Sequence, residues 1–317
     1  MRQPWLSATQ ILMWLRCPRQ FWYRYVMGIK VPPNGALKQG STYHMVAERN
    51  YVQKVSSRVD LPEDELTDYF GDTFEAEMTR EEVRLVEGES KGALKDQGIE
   101  LVKTFHAAIA PHVQPAQVET QFEVNMGQGD ENVLLKGRID VIDEHGIVRD
   151  NKTLAPTRVP TAEELATDVQ LSIYSLAYRL TTKKAEPLLT WDAVIKKTWP
   201  EARILPTARN REGLRLTFNQ IGHVGKAIRN EIFPTNPTGW WCSPRWCGYY
   251  PDCQGKALVT VDLSANLETV LKESLERHEK EKGREESRQE GGKKAAQSRK
   301  EGSKARGKEE TGSDDAA

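Results

Sequence analysis

The stretch Gly137 to Thr153, GRIDVIDEHGIVRDNKT, constrains the fold more than any other part of the chain. Apolar and β-branched residues (Ile139, Val141, Ile142, then Ile147 and Val148) flank Glu144-His145-Gly146, a turn with a glycine, so two short strands lie side by side. Pairing symmetric about His145 sets Val141 opposite Arg149 and Asp140 opposite Asp150. Opposed residues share a sheet face, and the two-residue strand period adds Lys152 to that face while Asn151 points to the other. Two carboxylates across a strand pair stand only about 4.5–5.5 Å apart at Cβ, and like charges there destabilise the pair. Lys152 offsets part of that charge. Two converging hard oxygen donors are also what a divalent cation such as Mg²⁺ or Mn²⁺ requires. A solvated, exposed hairpin is the bland reading of a D…DxK spacing; the symmetry of the hairpin and the Gly before its first Asp set this one apart.

The remaining bounds are broad. A chain of 317 residues can hold one large domain or two modest ones. Its 45 basic and 46 acidic residues give a net charge of -1, so any positive groove for a polyanion must be local. The apolar run Ile11 to Leu15 is too short for a membrane span, which takes roughly 18 or more apolar residues, and lacks a small-residue cleavage site. These features predict a soluble, cytoplasmic protein with reduced thiols and no membrane partner. No GxxxxGK[ST] phosphate loop and no internal repeat is present.

In chain order, Ser7 and Gln10 form a capping box that starts a helix, interrupted at Cys17-Pro18, and the aromatic run Phe21 to Tyr25 continues on helical spacing. After VPPNG, a helix capped by Ser41 places His44 in its first turn. Helices are predicted over Glu63–Arg80 and about Ser90–Ala110, making a helical part over 1–112. From Gln117 the period becomes two: Val118, Phe122 and Val124 share a face, with Glu119 on the polar one. This strand leads through a Gly127–Asn132 turn into the hairpin. Thr161 and Glu164 cap a helix with the stripe Leu165, Val169, Ile173, Leu176, Leu180, on which Gln170 and Tyr174 share a face. A strand over Leu188–Lys197 carries Trp191, Ala193 and Ile195 on one face and pairs around Ile204 and Leu205, and a helix follows from about Asn219 to Ile232. The pattern is an α/β fold with a mixed sheet flanked by helices, a catalytic core over 113–235 and a cysteine-rich segment over 236–260. The tail 276–317 has no large apolar residue and is predicted to be disordered, with a transient helix open to its early Glu/Lys/Arg part.

All four cysteines fit one hypothesis. Cys242, Cys247 and Cys253 form a C-x4-C-x5-C array in WWCSPRWCGYYPDC, and Cys17 lies near the N-terminus, so a tetrathiolate site would fasten the two ends of the folded region together. Zinc and an iron–sulfur cluster both satisfy four thiolates. Trp240, Trp241, Trp246, Tyr249 and Tyr250 would shield either from water. His44 and Glu119 taken singly are ordinary surface or core residues.

Taken together, these motifs resemble the PD-(D/E)xK nuclease superfamily, in particular its RecB-like, iron–sulfur branch, which includes CRISPR-associated exonucleases, the AddB nuclease domain and phage-encoded relatives. The matched order is LSATQILMWLRCPRQFWYRYV, His44, Glu119, GRID, DNK, QLSIY and the three late cysteines, over about residues 5 to 255. The resemblance implies a restriction-endonuclease-like fold with catalytic Mg²⁺ or Mn²⁺ held by Asp140 and Asp150, with His44 and the Asn151 carbonyl as further ligands. Lys152 would activate water and stabilise transition-state charge, Glu119 would be an auxiliary acid, and Gln170 and Tyr174 would position the substrate strand. Cys17, Cys242, Cys247 and Cys253 would ligate a [4Fe–4S] cluster. Asn151 stands where relatives carry an apolar residue, which predicts a strand near an edge or the solvent. The implied function is a DNA exonuclease acting on ends or single strands in recombination, repair or phage DNA processing, alongside recombination, helicase or phage replication proteins. The competing reading is a non-catalytic DNA-binding or assembly subunit with a tetracysteine zinc (Zn²⁺) site.

Overall fold

The computed structural model describes residues 5–126, 129, 132–255, 268–269, 271–284 and 286. Residues Met1–Cys253 form one compact unit and Gln254–Ala317 a second. The first is built on a five-stranded sheet with the spatial order β1 (Pro115–Met126), β2 (Val133–Asp143), β3 (Val148–Leu154), β4 (Leu189–Ile195), β5 (Glu201–Thr207). Neighbours are antiparallel except β3 and β4. That parallel pair needs a crossover connection, supplied by α6 (Ala162–Ala166) and α7 (Val169–Thr182). The sheet is therefore mixed and flanked by helices, a restriction-endonuclease-like α/β fold.

Each face has its own core. Against one face, α3 (Gly35–Ser57), α4 (Glu63–Arg80) and α5 (Lys91–Ala108) bury Tyr43, Tyr51, Phe70, Phe74 and Phe105. Against the other, α1 (Ala8–Arg16), the short α2 (Pro18–Phe21), α7 and α8 (Arg211–Arg229) bury Ile11, Phe21, Leu135, Leu171, Ile173 and Ile221. Leu6 adds a parallel bridge to β2 through Leu6 N–H to Leu134 O (2.8 Å) and Lys136 N–H to Leu6 O (2.9 Å), which fixes the entry to α1. The Ser7–Gln10 and Thr161–Glu164 capping boxes both form.

Several elements differ from the sequence reading. α3 begins at Gly35, capped by Asn34, whose side chain accepts from Leu37 N–H; Ser41 lies inside the helix and donates to Lys38 O, so His44 is in the third turn rather than the first. The Leu165–Leu180 stripe is split, because Asp168 caps a new helix by accepting from Leu171 N–H. α8 starts at Arg211, eight residues before the expected Asn219, since Asn210 accepts from Gly213 N–H. β1 does not keep Val118 on one face with Phe122 and Val124. Glu119 has φ +48, which interrupts the two-residue period, and Val118 packs with α3–α5 while Phe122 and Val124 pack on the opposite face. β3 is the central strand and Asn151 is only 3% exposed, so the expected edge position is also corrected. The Gly127–Asn132 turn lies mostly outside the described residues. In the second unit residues 271–284 are helical and exposed, and of the tail expected to be disordered only 276–284 and 286 are described.

Candidate active site

The hairpin register is the expected one. Val141 pairs with Arg149 and Ile142 with Val148. Gly146, at φ +80, occupies the left-handed region that glycine adopts without penalty, and Asp143 Oδ1 accepts from the N–H groups of His145 and Ile147 (2.9 Å each) to close the turn. Arg149 then clamps three strands by pairing with Asp143 of β2 (3.0 Å) and Asp192 of β4 (3.1 Å). All three side chains are buried, so the pairs fix where the strands part.

Ladder pairing of β2 with β3 ends at Val141 and Arg149, and the two strands fork there. Asp140 and Asp150 are the first residues beyond the paired segment. Asp140 Oδ2 accepts from Asn151 N–H (3.0 Å) and lies 3.2 Å from His44 Nδ1 of α3. Asp150 is 0% exposed; among the described residues its Oδ1 has no hydrogen-bond partner, and its Oδ2 has the Lys152 ammonium 2.6 Å away. Lys152 Nζ also donates to Gln170 Oε1 (3.0 Å), and Gln170 Nε2 donates to Tyr174 Oη (2.9 Å). These two residues stand one turn apart near the start of α7 and so point together at β3. Glu119 falls in the β1–β2 register opposite Asp140, between Val118↔Val141 and Thr120↔Ile139, and pairs with Arg138 (3.0 Å).

The electrostatics follow from burial. Loss of solvent raises the Asp150 carboxyl to about 7, and the Asp140 charge pushes the same way against the opposing pull of Lys152. Burial would also raise Asp140, but the His44 hydrogen bond and charge, Lys152 and the Asn151 amide outweigh it and hold this acid below its ordinary value. Burial would lower His44 and Lys152, yet Asp140 raises the first and Asp150 the second. Glu119 is raised by burial and by Asp140, and Tyr174 by burial and by both aspartates. Two acids of one type, side by side, thus have their pKa values driven apart.

The sequence reading missed Trp191. It is the β4 register partner of Asp150, and its ring lies 5.6 Å from Lys152 Nζ, flooring the lysine with a π face. Its place on the Trp191, Ala193, Ile195 face was the available signal. The GRID glycine is explained as well. Gly137 opposes Phe122, and a Cβ there would stand 2.6 Å from the Phe122 ring, which in turn packs edge-on against Tyr174 at 6.3 Å between centroids.

Residues 5–254 match the family model described as the PD-(D/E)XK nuclease superfamily. The chain belongs to this superfamily. Among solved structures, this PD-(D/E)XK chain is similar to a protein from Eubacterium rectale described as a "putative exonuclease", with TM-score 0.50 and 13% identity over 82% of this chain and 91% of that one. It is also similar to the protein SSO0001, with TM-score 0.40 and 14% identity over 82% and 89%. A comparison with curated proteins gives no match.

None of the four cysteines is joined in a disulfide, and Cys17 and Cys247 are buried. Gln20 Nε2 donates to Cys247 Sγ (3.2 Å). Burial raises the thiols of Cys242 and Cys253, and the charges of neighbouring cysteines, Cys17 among them, add to it. Further contacts bind the late segment to the N-terminal one: Tyr249 Oη donates to Ile29 O (2.9 Å), Tyr249 stacks on Tyr23 (5.1 Å), and Asn236 Nδ2 donates to Arg16 O (2.8 Å). Among the described residues, no three His, Cys, Asp or Glu side chains at either place close into a metal-binding arrangement as they stand. Among those residues, no helix is long and apolar enough to cross a membrane.

Proposed function

We propose that this chain is a Mg²⁺- or Mn²⁺-dependent DNA nuclease, an exonuclease of recombination, repair or phage DNA processing. The observation that carries the reading is the fully buried Asp150 carboxylate beside Asp140. One of its oxygens lacks a hydrogen bond, a situation unfavourable for a carboxylate unless a cation completes it. Asp140 and Asp150 would hold the ion, with His44 and the Asn151 carbonyl beside it. The ion supplies an acidified water and neutralises a phosphate oxygen. Lys152, held by Gln170, presents a fixed ammonium to the charge that develops on the scissile phosphate. Tyr174 holds Gln170 in turn, and Glu119, with its raised pKa, is an acceptor for a proton leaving the water. For the second site, four thiolates suit zinc or an iron–sulfur cluster, and the RecB-like resemblance favours [4Fe–4S] on Cys17, Cys242, Cys247 and Cys253.

The test is degradation of end-labelled DNA with Mg²⁺ or Mn²⁺ by the parent chain, and its loss in Asp150→Ala and Lys152→Ala variants that keep the parent's circular dichroism. Degradation at the parent rate by both variants overturns the site assignment. DNA binding without cleavage by the parent favours an assembly subunit instead.

A further inference from the structure

The β4–β5 connection, Lys196 to Pro200, carries Trp199 at 83% exposure, the highest among the exposed large hydrophobic residues of the described chain. A tryptophan buries 150–250 Å² where it serves packing, so one presented to water at a loop tip is placed for something outside the fold. The tip is held firmly. Lys196 N–H donates to Leu154 O (2.7 Å), extending the β3–β4 ladder past Ile195, Pro200 fixes the backbone after the indole, and Glu201 is ion-paired to both Lys197 and Arg203.

Position and charge narrow the occupant. The fork opens toward the C-terminal end of β3, and β4 runs parallel to β3, so the tip projects from the same end of the sheet as the gap between Asp140 and Asp150. Trp199 is six residues beyond Ala193, the register partner of Lys152, a reach of at most about 22 Å. Two exposed cations, Lys197 and Arg203, share one carboxylate, Glu201, while the half-buried Lys196 has Glu89 as its charge neighbour, so the exposed tip is locally positive in a chain of net charge -1. A rigid π face beside cations, at the same end of the sheet as the proposed phosphodiester site, matches an unpaired nucleobase with its phosphates. An apolar peptide would find no second exposed hydrophobic residue in Lys196 to Pro200.

We propose that Trp199 is a stacking platform for an unpaired base of the nucleic acid entering the fork, so that the chain prefers strands or ends with unpaired nucleotides. The inference rests on the nuclease reading for the identity of the ligand, but it is tested by binding. Full-length parent, Trp199→Ala and Trp199→Phe are titrated, with EDTA present to prevent turnover, into fluorescein-labelled oligothymidylate and into a labelled blunt duplex, read by anisotropy. Trp199→Ala is expected to weaken oligothymidylate binding about 5- to 150-fold, Trp199→Phe to restore most of it, and the duplex to change by less than about twofold. Equal oligothymidylate affinity in parent and Trp199→Ala overturns the proposal, as does an equal loss for both ligands. Unchanged oligonucleotide binding with lost sedimentation on anionic phospholipid vesicles would assign the tip to a lipid surface instead. The two readings fail separately: Trp199-dependent binding by a parent that cleaves nothing leaves the platform standing and removes the nuclease, and cleavage with Trp199-independent binding does the reverse.

Discussion

Replacing Asp150 by asparagine removes a carboxyl group that the fork holds at a disadvantage when ionised. Burial raises this acid from an ordinary 3.8 to about 7. An acid raised on folding contributes stability that is complete below its unfolded pKa and is lost as pH rises through the folded one. From about pH 5 to about pH 7 the unfolded chain has Asp150 ionised while the folded protein keeps it protonated, so stability falls by about 1.4 kcal/mol per pH unit, or about 2–3 kcal/mol over the interval. The Asp150→Asn protein lacks this loss. His44, raised chiefly by Asp140 against the pull of burial, also sheds stability as pH rises; Asp150 adds the smallest part of that rise, so most of this loss is common to both proteins and cancels in the difference. Below about pH 7 the parent's Asp150 is itself neutral, so within this interval asparagine takes no anion away from Lys152. Urea unfolding of both proteins in EDTA, at steps across the interval, should show the variant gaining on the parent as pH rises. Parallel profiles would refute the claim that the buried carboxylate is destabilised by its surroundings. Mg²⁺ or Mn²⁺ in place of EDTA should flatten the parent's profile, since a cation at the fork favours the ionised acid.

Two further outcomes are expected. Gly137→Ala drives a methyl group into the Phe122 ring and through it toward Tyr174, so it should lower stability by about 1–3 kcal/mol, and an unchanged urea midpoint would mean that the ring moves freely. Anaerobically purified protein should be brown and contain iron and sulfide; colourless, zinc-loaded protein would contradict the cluster.

The hairpin was legible because its information is local: a glycine at the turn, apolar residues on both arms and acids at equal distance from His145 fix register without reference to the rest of the chain. Capping boxes at Ser7 and Thr161 were legible for the same reason. The starts of α3 and α8 were not, since Asn34 and Asn210 sit beside Pro-Pro and Arg-Glu-Gly sequences that read equally well as loop. The positive φ of Glu119 leaves no mark on residue type, so the strand was read as regular although its two ends face different cores. Asn151 is polar, yet its place on the central strand, which lies against α3, buries it, and among the described residues its Oδ1 has no hydrogen-bond partner. Trp191 was placed on the correct face of β4 but could not be assigned to the fork until the parallel register with β3 was known. Asp140, Asp150 and Lys152 came from pattern, His44, Glu119, Gln170 and Tyr174 from the family resemblance, and the electrostatics only from burial.

The joining of Tyr249, Cys247 and Asn236 to the segment around Cys17 and Ile29 has a consequence for biosynthesis. At translation rates of about 5–20 residues per second, Cys17 leaves the ribosome roughly 10–50 s before Cys253 does. During that interval the nascent chain carries an N-terminal thiol and a run of aromatic side chains without their native cover, so this end of the protein is the natural client for a chaperone. A truncation that stops short of Gly239 would leave that seam permanently open, however well the sheet itself had assembled.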